Sequence, residues 1–324
     1  MRVDGLSRRR LVASGAALGL ALLTGRRGMA ATTSDSGGAG KTGPFRYCLN
    51  TSTIRGQKLG LEKEIDTAAE AGYDAIEPWV STIQEYVKAG GKLADIRKRV
   101  EDRGLTVEGA ISFTQWIVDD DARRVEGVEQ MKREMDLLAQ IGGKRIAAPP
   151  VGANGNDASI LDLMKVAERY RAILEAGDRA GVTPILELWG PSKNLHRLGQ
   201  CMFVIVESGH PKACLLGDVY HIYKGGSDFT GLKAISAAAL PVLHMNDYPA
   251  DPPREKISDR DRVMPGDGVA PLPQILGYLR GNGSRAVLSL ELFSQAYWEK
   301  DPLEVAKSGL AKMKAAGEKS LGTT

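Results

Sequence analysis

The chain has 324 residues, 43% hydrophobic and 26% charged, which supplies material for a sizeable core and excludes a disordered polyelectrolyte. Its formal net charge is +3, but the first 30 residues hold six arginines against one aspartate, so the rest of the chain is net −2. A mildly acidic body has no bulk electrostatic reason to bind nucleic acid.

At the N-terminus, Ser7-Arg8-Arg9-Arg10-Leu11-Val12 reads as a twin-arginine export motif. The apolar run 12–23 beyond it is shorter than the about 20 residues a membrane-spanning helix needs, and it suits the apolar region of a signal peptide. Small residues at Gly28-Met29-Ala30 place a cleavage site after Ala30. Residues 1–30 are therefore expected to be a signal peptide that sends the chain to the periplasm or the extracellular space, with no stable membrane insertion after cleavage; an uncleaved anchor is the alternative. Residues 31–44, rich in Gly, Ser and Thr and without apolar periodicity, read as a flexible linker, leaving 45–324 as one domain.

From Arg46 onward, short apolar runs alternate with longer amphipathic ones, the pattern of repeated strand–helix units. Strands are predicted over 47–50, 75–77, 106–111, 145–148, 184–188, 213–218, 242–246 and 286–292. Helices are predicted between them, among them 61–71, 125–141, 161–180 and 273–279, with 303–315 closing the chain. Gly72, Gly104, Gly142 and Gly181 stand where helices should end in a left-handed cap. Eight units without a GxGxxG fingerprint favour a single closed (β/α)8 TIM barrel over an open doubly wound sheet. Cys48, Cys201 and Cys214 lack CxxC spacing and read as buried free thiols.

The fifth to eighth predicted strands each carry a polar residue near their C-terminal end, in Leu186-Glu187-Leu188, Leu216-Gly217-Asp218, Leu243-His244-Met245 and Leu290-Glu291-Leu292. Barrel active sites form at that end of the strands. A lone carboxylate there is commonly a loop charge or helix cap, and a lone His commonly a satisfied core residue. Four in successive apolar strands are different, because acids buried without a partner are costly and a shared cation accounts for all of them. Three carboxylates and one imidazole suit Mn²⁺, Zn²⁺, Co²⁺ or Mg²⁺ and do not choose among them. Asn50 and Glu77, ending the first two strands, are candidates to contact substrate, with pairing to a basic residue the alternative for Glu77. Trp79, Trp116 and Trp298 are candidates to stack on a face of the substrate, and His196 and His210 read as surface residues.

From Phe45 to the last helix the chain resembles the xylose-isomerase-like sugar isomerase/epimerase superfamily, and within it the inosose (2-keto-myo-inositol) isomerases. The resemblance is carried by Cys48-Leu49-Asn50-Thr51, Gly72-Tyr73-Asp74-Ala75-Ile76-Glu77, Asp218-Val219-Tyr220-His221 and His244-Met245-Asn246-Asp247. Two further segments are Asp261-Arg262-Val263-Met264-Pro265-Gly266-Asp267-Gly268 and Leu290-Glu291-Leu292-Phe293. It implies one divalent metal held by Glu187, Asp218, His244 and Glu291, and substrate contacts for His221 and Arg262.

The expected activity is a divalent-metal-dependent isomerase or epimerase moving a proton on a keto-sugar or cyclitol ketone through an enediolate, with Glu187 and Glu291 as the acid/base pair. A lyase eliminating from 3-keto-glycosides begins with the same proton abstraction and is the alternative. A nuclease resembling endonuclease IV fits poorly, since the chain has only four histidines and an acidic body. A non-catalytic sugar-binding protein has no need of so many carboxylates around a metal. The expected partner is a small sugar or cyclitol, not nucleic acid, and the sequence is compatible with a homo-oligomer. If the export motif is read by its translocation machinery, Arg8→Lys combined with Arg9→Lys should strand the precursor in the cytoplasm with its first 30 or so residues uncleaved; normal export of that variant on fractionation would exclude the twin-arginine route.

Overall fold

The computed structural model describes residues 45–322; the expected signal peptide and linker lie outside the described residues. Eight parallel strands are β1 (Arg46–Asn50), β2 (Ala75–Glu77), β3 (Thr106–Val107), β4 (Arg145–Ala148), β5 (Thr183–Glu187), β6 (Leu215–Asp218), β7 (Val242–Met245) and β8 (Val287–Leu290). They form one sheet in the order β3-β2-β1-β8-β7-β6-β5-β4. Ala110, just beyond β3, bridges to Ile146 of β4, so the two ends of that order meet and the sheet closes. This is the (β/α)8 barrel expected from the alternation of runs.

Among the described residues the α-helices are α1 (Leu61–Ala71), α2 (Val80–Lys88), α3 (Leu93–Asp102), α4 (Asp121–Gln140), α5 (Leu163–Ala180), α6 (Leu198–Glu207), α7 (Val219–Lys224), α8 (Leu272–Gly281), α9 (Gln295–Trp298) and α10 (Pro302–Ser320). Side chains of Asp120, Asp162 and Asp301 cap the N-termini of α4, α5 and α10 by accepting from backbone N–H groups. Gly72 (φ +91°) and Gly181 (φ +72°) close α1 and α5 in the left-handed conformation that their sequence positions predict. Helix α5 buries Val166, Tyr170, Ile173, Leu174 and Gly177 along one face, and its Tyr170 hydroxyl donates to backbone carbonyls of Pro184 (3.1 Å) and Cys214 (2.9 Å), locking the helix to the sheet.

Period-2 alternation sorts the strands into two sets. Leu49, Ile76, Leu186, Leu243, Met245, Leu288 and Leu290 belong to the large core beneath the helices. Cys48, Ala75, Ile185, Leu216, Val242 and Val287 form separate small clusters. Two residues further along the same strand faces come Asn50, Glu77, Glu187, Asp218, His244 and Ser289, and Glu291 lies two beyond Ser289. The barrel interior therefore has an apolar floor and a polar upper layer. The three cysteines are free and buried.

The third strand departs from its predicted span 106–111. Its regular ladder to β2 is interrupted after Glu108, whose N–H reaches Ile76 O (3.0 Å); Ala110 donates to Arg145 O (3.1 Å) on the β4 side, and Ile111 donates to Pro78 O (3.0 Å) on the β2 side again. The alternation slips at Gly109, where a Cβ would stand 3.0 Å from Glu77 Oε1, and both neighbours remain bridged beyond it. Helix α4 begins four residues before its predicted start because Asp120 caps it, and α10 runs on to Ser320. Glu291, inside the predicted eighth strand, lies just past β8.

Helix α1 carries a buried acid outside the barrel interior. Glu64 on α1 is 4% exposed, and one of its oxygens has no hydrogen-bond partner. Burial, partly offset by Arg55, lifts its carboxyl to about 7. A raised acid favours the protonated folded state, so its penalty is absent below the unfolded value near 4.5, grows as pH rises toward 7 and is complete above it. Glu64→Gln should therefore stabilise the fold at pH 8 relative to pH 4 by on the order of 2–3 kcal/mol, read as the change in urea-unfolding free energy; a pH-independent difference would show that Glu64 ionises normally.

Candidate active site

The strand ends bring the polar layer together in a definite order. Asn50 of β1 is opposite Glu77 of β2, Asp218 of β6 is opposite His244 of β7, and His244 is opposite Ser289 of β8. One ligand atom each from Asp218, His244 and Glu291 lie within 4.8 Å of one another, and all three residues are buried. Glu187 stands outside that tight group but lines the same pocket, is 4% exposed, and has one oxygen, Oε2, without any partner.

His244 is oriented from behind. Its Nε2 lies 3.0 Å from Glu77 Oε2, which also accepts from Asn50 Nδ2 (3.0 Å) and Ser289 Oγ (2.7 Å). With Nε2 given to the carboxylate, Nδ1 faces the cluster, 3.1 Å from Glu291 Oε2 and 3.8 Å from Asp218 Oδ2, yet in hydrogen-bond geometry with nothing. An imidazole nitrogen converging with two carboxylates, its other nitrogen held by a third, is the arrangement of a carboxylate–histidine–metal unit. The donor set thus fits a divalent cation by its chemistry as well as its spacing.

Asp218 is held on both oxygens. It ends β6 and caps α7, with Oδ1 accepting from His221 N (2.7 Å), while Oδ2 accepts from Asn246 Nδ2 (3.0 Å). Asn246 in turn accepts from Tyr220 N (2.9 Å), tying β6 and β7 together at the site. Asn50 Nδ2 also donates to Glu291 Oε1 (3.2 Å).

Arg262 supplies the fixed positive charge. It is 1% exposed, and its Nη1 donates to Asp218 Oδ2 (3.1 Å) and Glu291 Oε2 (2.8 Å). Its Nη2 donates to Asp259 and to His221 Nε2 (3.1 Å). Since arginine can only donate, His221 Nε2 accepts and the proton of a neutral ring sits on Nδ1, which has no partner. The loop carrying Arg262 is clamped by Asp247, whose carboxylate accepts backbone N–H groups of Tyr248, Gly266, Gly268 and Ala270. Gly268 must be glycine, since a Cβ there would lie 2.2 Å from Tyr248 O.

These contacts push the two glutamates apart. Burial raises Glu187, with Glu291 adding to the effect, to about 8. Burial also acts to raise Glu291, but His244 and Arg262 outweigh it and hold this carboxyl well below the usual range. Burial would lower His244, but Glu291 and Glu77 more than offset that and raise it. Burial depresses His221, in keeping with its neutral ring.

The structure thus brings Asn50, Glu77, Asp218, His221, His244, Arg262 and Glu291 into one hydrogen-bonded net, with Glu187 across the pocket. Glu77 pairs with His244 and sits behind it, not among the residues lining the pocket, and Asn50 likewise acts from behind Glu291. Trp79 and Trp298 line the pocket, whereas Trp116 is fully buried elsewhere, donating to Pro149 O (2.9 Å). Neither His196 nor His210 lines it, and His210 is tucked against Asp178 (3.1 Å) with its side chain only 5% exposed, not on the surface. Sequence reasoning passed over Asn246, Asp247, Asp259 and Ser289; the run His244-Met245-Asn246-Asp247 holds the first two, but no spacing rule reveals which backbone groups Asp247 gathers.

Residues 65–316 match the model of the xylose isomerase-like TIM barrel family, and the chain belongs to that family. It is 24% identical over 268 residues to an inosose isomerase of Halalkalibacterium halodurans, covering 82% of this chain and 93% of that protein. A 3-dehydro-D-guloside 4-epimerase of Escherichia coli is 22% identical over 238 residues, covering 68% of this chain and 83% of the epimerase. Among solved structures, the IolI protein with a bound zinc atom superposes with a TM-score of 0.78 at 21% identity, covering 86% of this chain and all of that one.

If Glu77 fixes the ligating face of His244, Glu77→Gln should weaken divalent-metal binding by about 10–100-fold with the fold intact. Competition with a chelating dye would measure this, with Asp218→Ala, His244→Ala as the metal-free control; unchanged affinity in Glu77→Gln would exclude the orienting role.

Proposed function

We propose that this protein is a divalent-metal-dependent isomerase or epimerase that moves a proton on the carbon next to the carbonyl of a keto-sugar or cyclitol ketone. The observation that carries this reading is the placement of Glu187 and Glu291 in one pocket beside Asp218 and His244, all buried and all at the strand ends. Asp218, His244 and Glu291 would hold the cation, with the partnerless oxygen of Glu187 available as the fourth ligand. A divalent cation, when bound, supplies the Lewis-acid charge that favours loss of a proton from carbon.

The rest is the work of the chain's own groups. Glu187 and Glu291 face the substrate from two sides, and one removes the carbon proton while the other returns it. Arg262 holds Glu291 ionised and offers positive charge to a substrate oxygen. His221 Nδ1–H, unpartnered and buried, is a donor for a hydroxyl or carbonyl oxygen. Burial of the whole set excludes water, which strengthens each of these interactions. Similarity to the inosose isomerase and to the 3-dehydro-D-guloside 4-epimerase favours a cyclic ketone as substrate, and the export motif favours a setting outside the cytoplasm.

The reading is tested by NMR of metal-loaded protein with inososes and 3-keto-sugars in D₂O. Deuterium should enter one substrate carbon, with mass otherwise conserved; release of an aglycone would indicate elimination instead. Glu187→Gln and Glu291→Gln should each reduce turnover on the order of 10²-fold or more, since acid–base catalysis is typically worth 10²–10⁴. Wild-type turnover in both metal-loaded variants would refute the two-glutamate mechanism.

A further inference from the structure

The cavity over the acid cluster is larger than one sugar ring needs. It encloses about 730 Å³, within the roughly 300–1,000 Å³ span of pockets that take drug-sized ligands, whereas a six-carbon keto-sugar has only about a dozen heavy atoms. Glu187, His221, Arg262 and Glu291 occupy its polar side. The remainder is walled by Trp79, Phe113, Trp189, Phe293 and Trp298.

These aromatics come from separate elements and meet at the same mouth. Trp79 comes after β2, Phe113 after β3, Trp189 is two residues beyond Glu187, Phe293 is two beyond Glu291, and Trp298 ends α9. Four of these rings, Trp79, Phe113, Trp189 and Phe293, form a continuous run. Ring centroids of Trp79 and Phe113 are 4.9 Å apart, Phe113 and Trp189 6.2 Å, and Trp79 and Phe293 6.3 Å. It reaches the acid cluster through Trp189, whose ring centroid is 6.5 Å from that of His221. Arg55 stacks on Trp79 at 3.7 Å, restraining the indole plane. Phe113, flanked by two tryptophans, is still 42% exposed. Large apolar faces left open beside a polar centre mark a binding surface, and aromatic rings take flat ligands with an apolar face.

We propose that this wall is a second-ring subsite, and that the substrate is a keto-glycoside whose sugar ketone sits on the acid cluster while a ring joined through the glycosidic oxygen stacks on Trp79, Phe113 and Trp189. This rests on the proton-transfer reading and narrows its substrate class from free ketones to glycosides. The shared chemistry of the second ring is an apolar face, offered by an aryl aglycone or by the carbon-bound hydrogens of a second sugar.

The test compares one keto-sugar as the free ketone, the methyl glycoside, the phenyl glycoside and a disaccharide, each followed by solvent-deuterium entry with metal-loaded protein. A phenyl glycoside or a disaccharide favoured over the methyl glycoside by about 10-fold or more in kcat/KM supports the subsite, and whichever is favoured identifies the ring. Phe113→Ala, at an exposed position, should collapse that preference by lowering the larger substrate's kcat/KM more than the methyl glycoside's. Equal kcat/KM for all four ketones, or a preference unaffected by Phe113→Ala, overturns the subsite. Absence of deuterium entry in every ketone, the free one included, overturns the proton-transfer reading and with it this substrate class.

Discussion

Glu77, Asp218, Glu291, His244 and Arg262 are buried in one hydrogen-bonded net at the mouth of the barrel, and charge of that density survives out of water only if every member answers another. Most of the local architecture serves this condition. Arg262 sets its guanidinium against two of the acids, His244 lies between the third and the cluster, and Asn50, Ser289 and Asn246 fill remaining lone pairs. The exceptions are informative. Glu187 Oε2, His221 Nδ1, His244 Nδ1 and Arg262 Nε are buried without a hydrogen-bond partner, and each belongs to a residue that the proposed chemistry uses. An unsatisfied polar atom in a core costs stability, and their concentration around one pocket is what a binding site requires.

Parallel strands explain how so many elements contribute. Every strand of a closed barrel delivers its C-terminal end to the same rim, so residues far apart in sequence, such as Asn50 and Glu291, meet within 3.2 Å. The apolar residues two positions earlier on each strand close the interior beneath them, so the polar layer sits on a dry floor. The loop after each strand can then vary without disturbing that floor. Asp247 pins the loop that carries Arg262 through four backbone N–H groups, giving a loop residue the rigidity of a strand residue. The loops after β2, β3, β5 and β8 carry the aromatic wall, which shapes what reaches the acids.

The sequence by itself determined the number of strand–helix units, their order and the glycine stops, because local periodicity, capping and backbone freedom are properties of neighbouring residues. It also singled out Glu187, Asp218, His244 and Glu291, since an ionisable residue inside an apolar strand stands out without knowledge of its neighbours in space. Which partners those residues have was decided only by the closed barrel. Glu77 reads in sequence either as a pocket-lining acid or as the partner of a basic residue, and pairing across β1, β2, β7 and β8 decides for the second by setting it behind His244. Trp116 and Trp79 look alike in sequence, yet one is core and the other lines the pocket. Phe113, Trp189 and Phe293 become a wall only because their strands end at a common rim. The third strand is interrupted at Gly109, between its ladder to β2 and the single bridges that tie Ala110 to β4 and Ile111 to Trp79, a break that no local pattern records. Periodicity tells which face of an element is buried; what that face meets depends on contacts between residues distant in the chain, and those exist only once the ring of strands is complete.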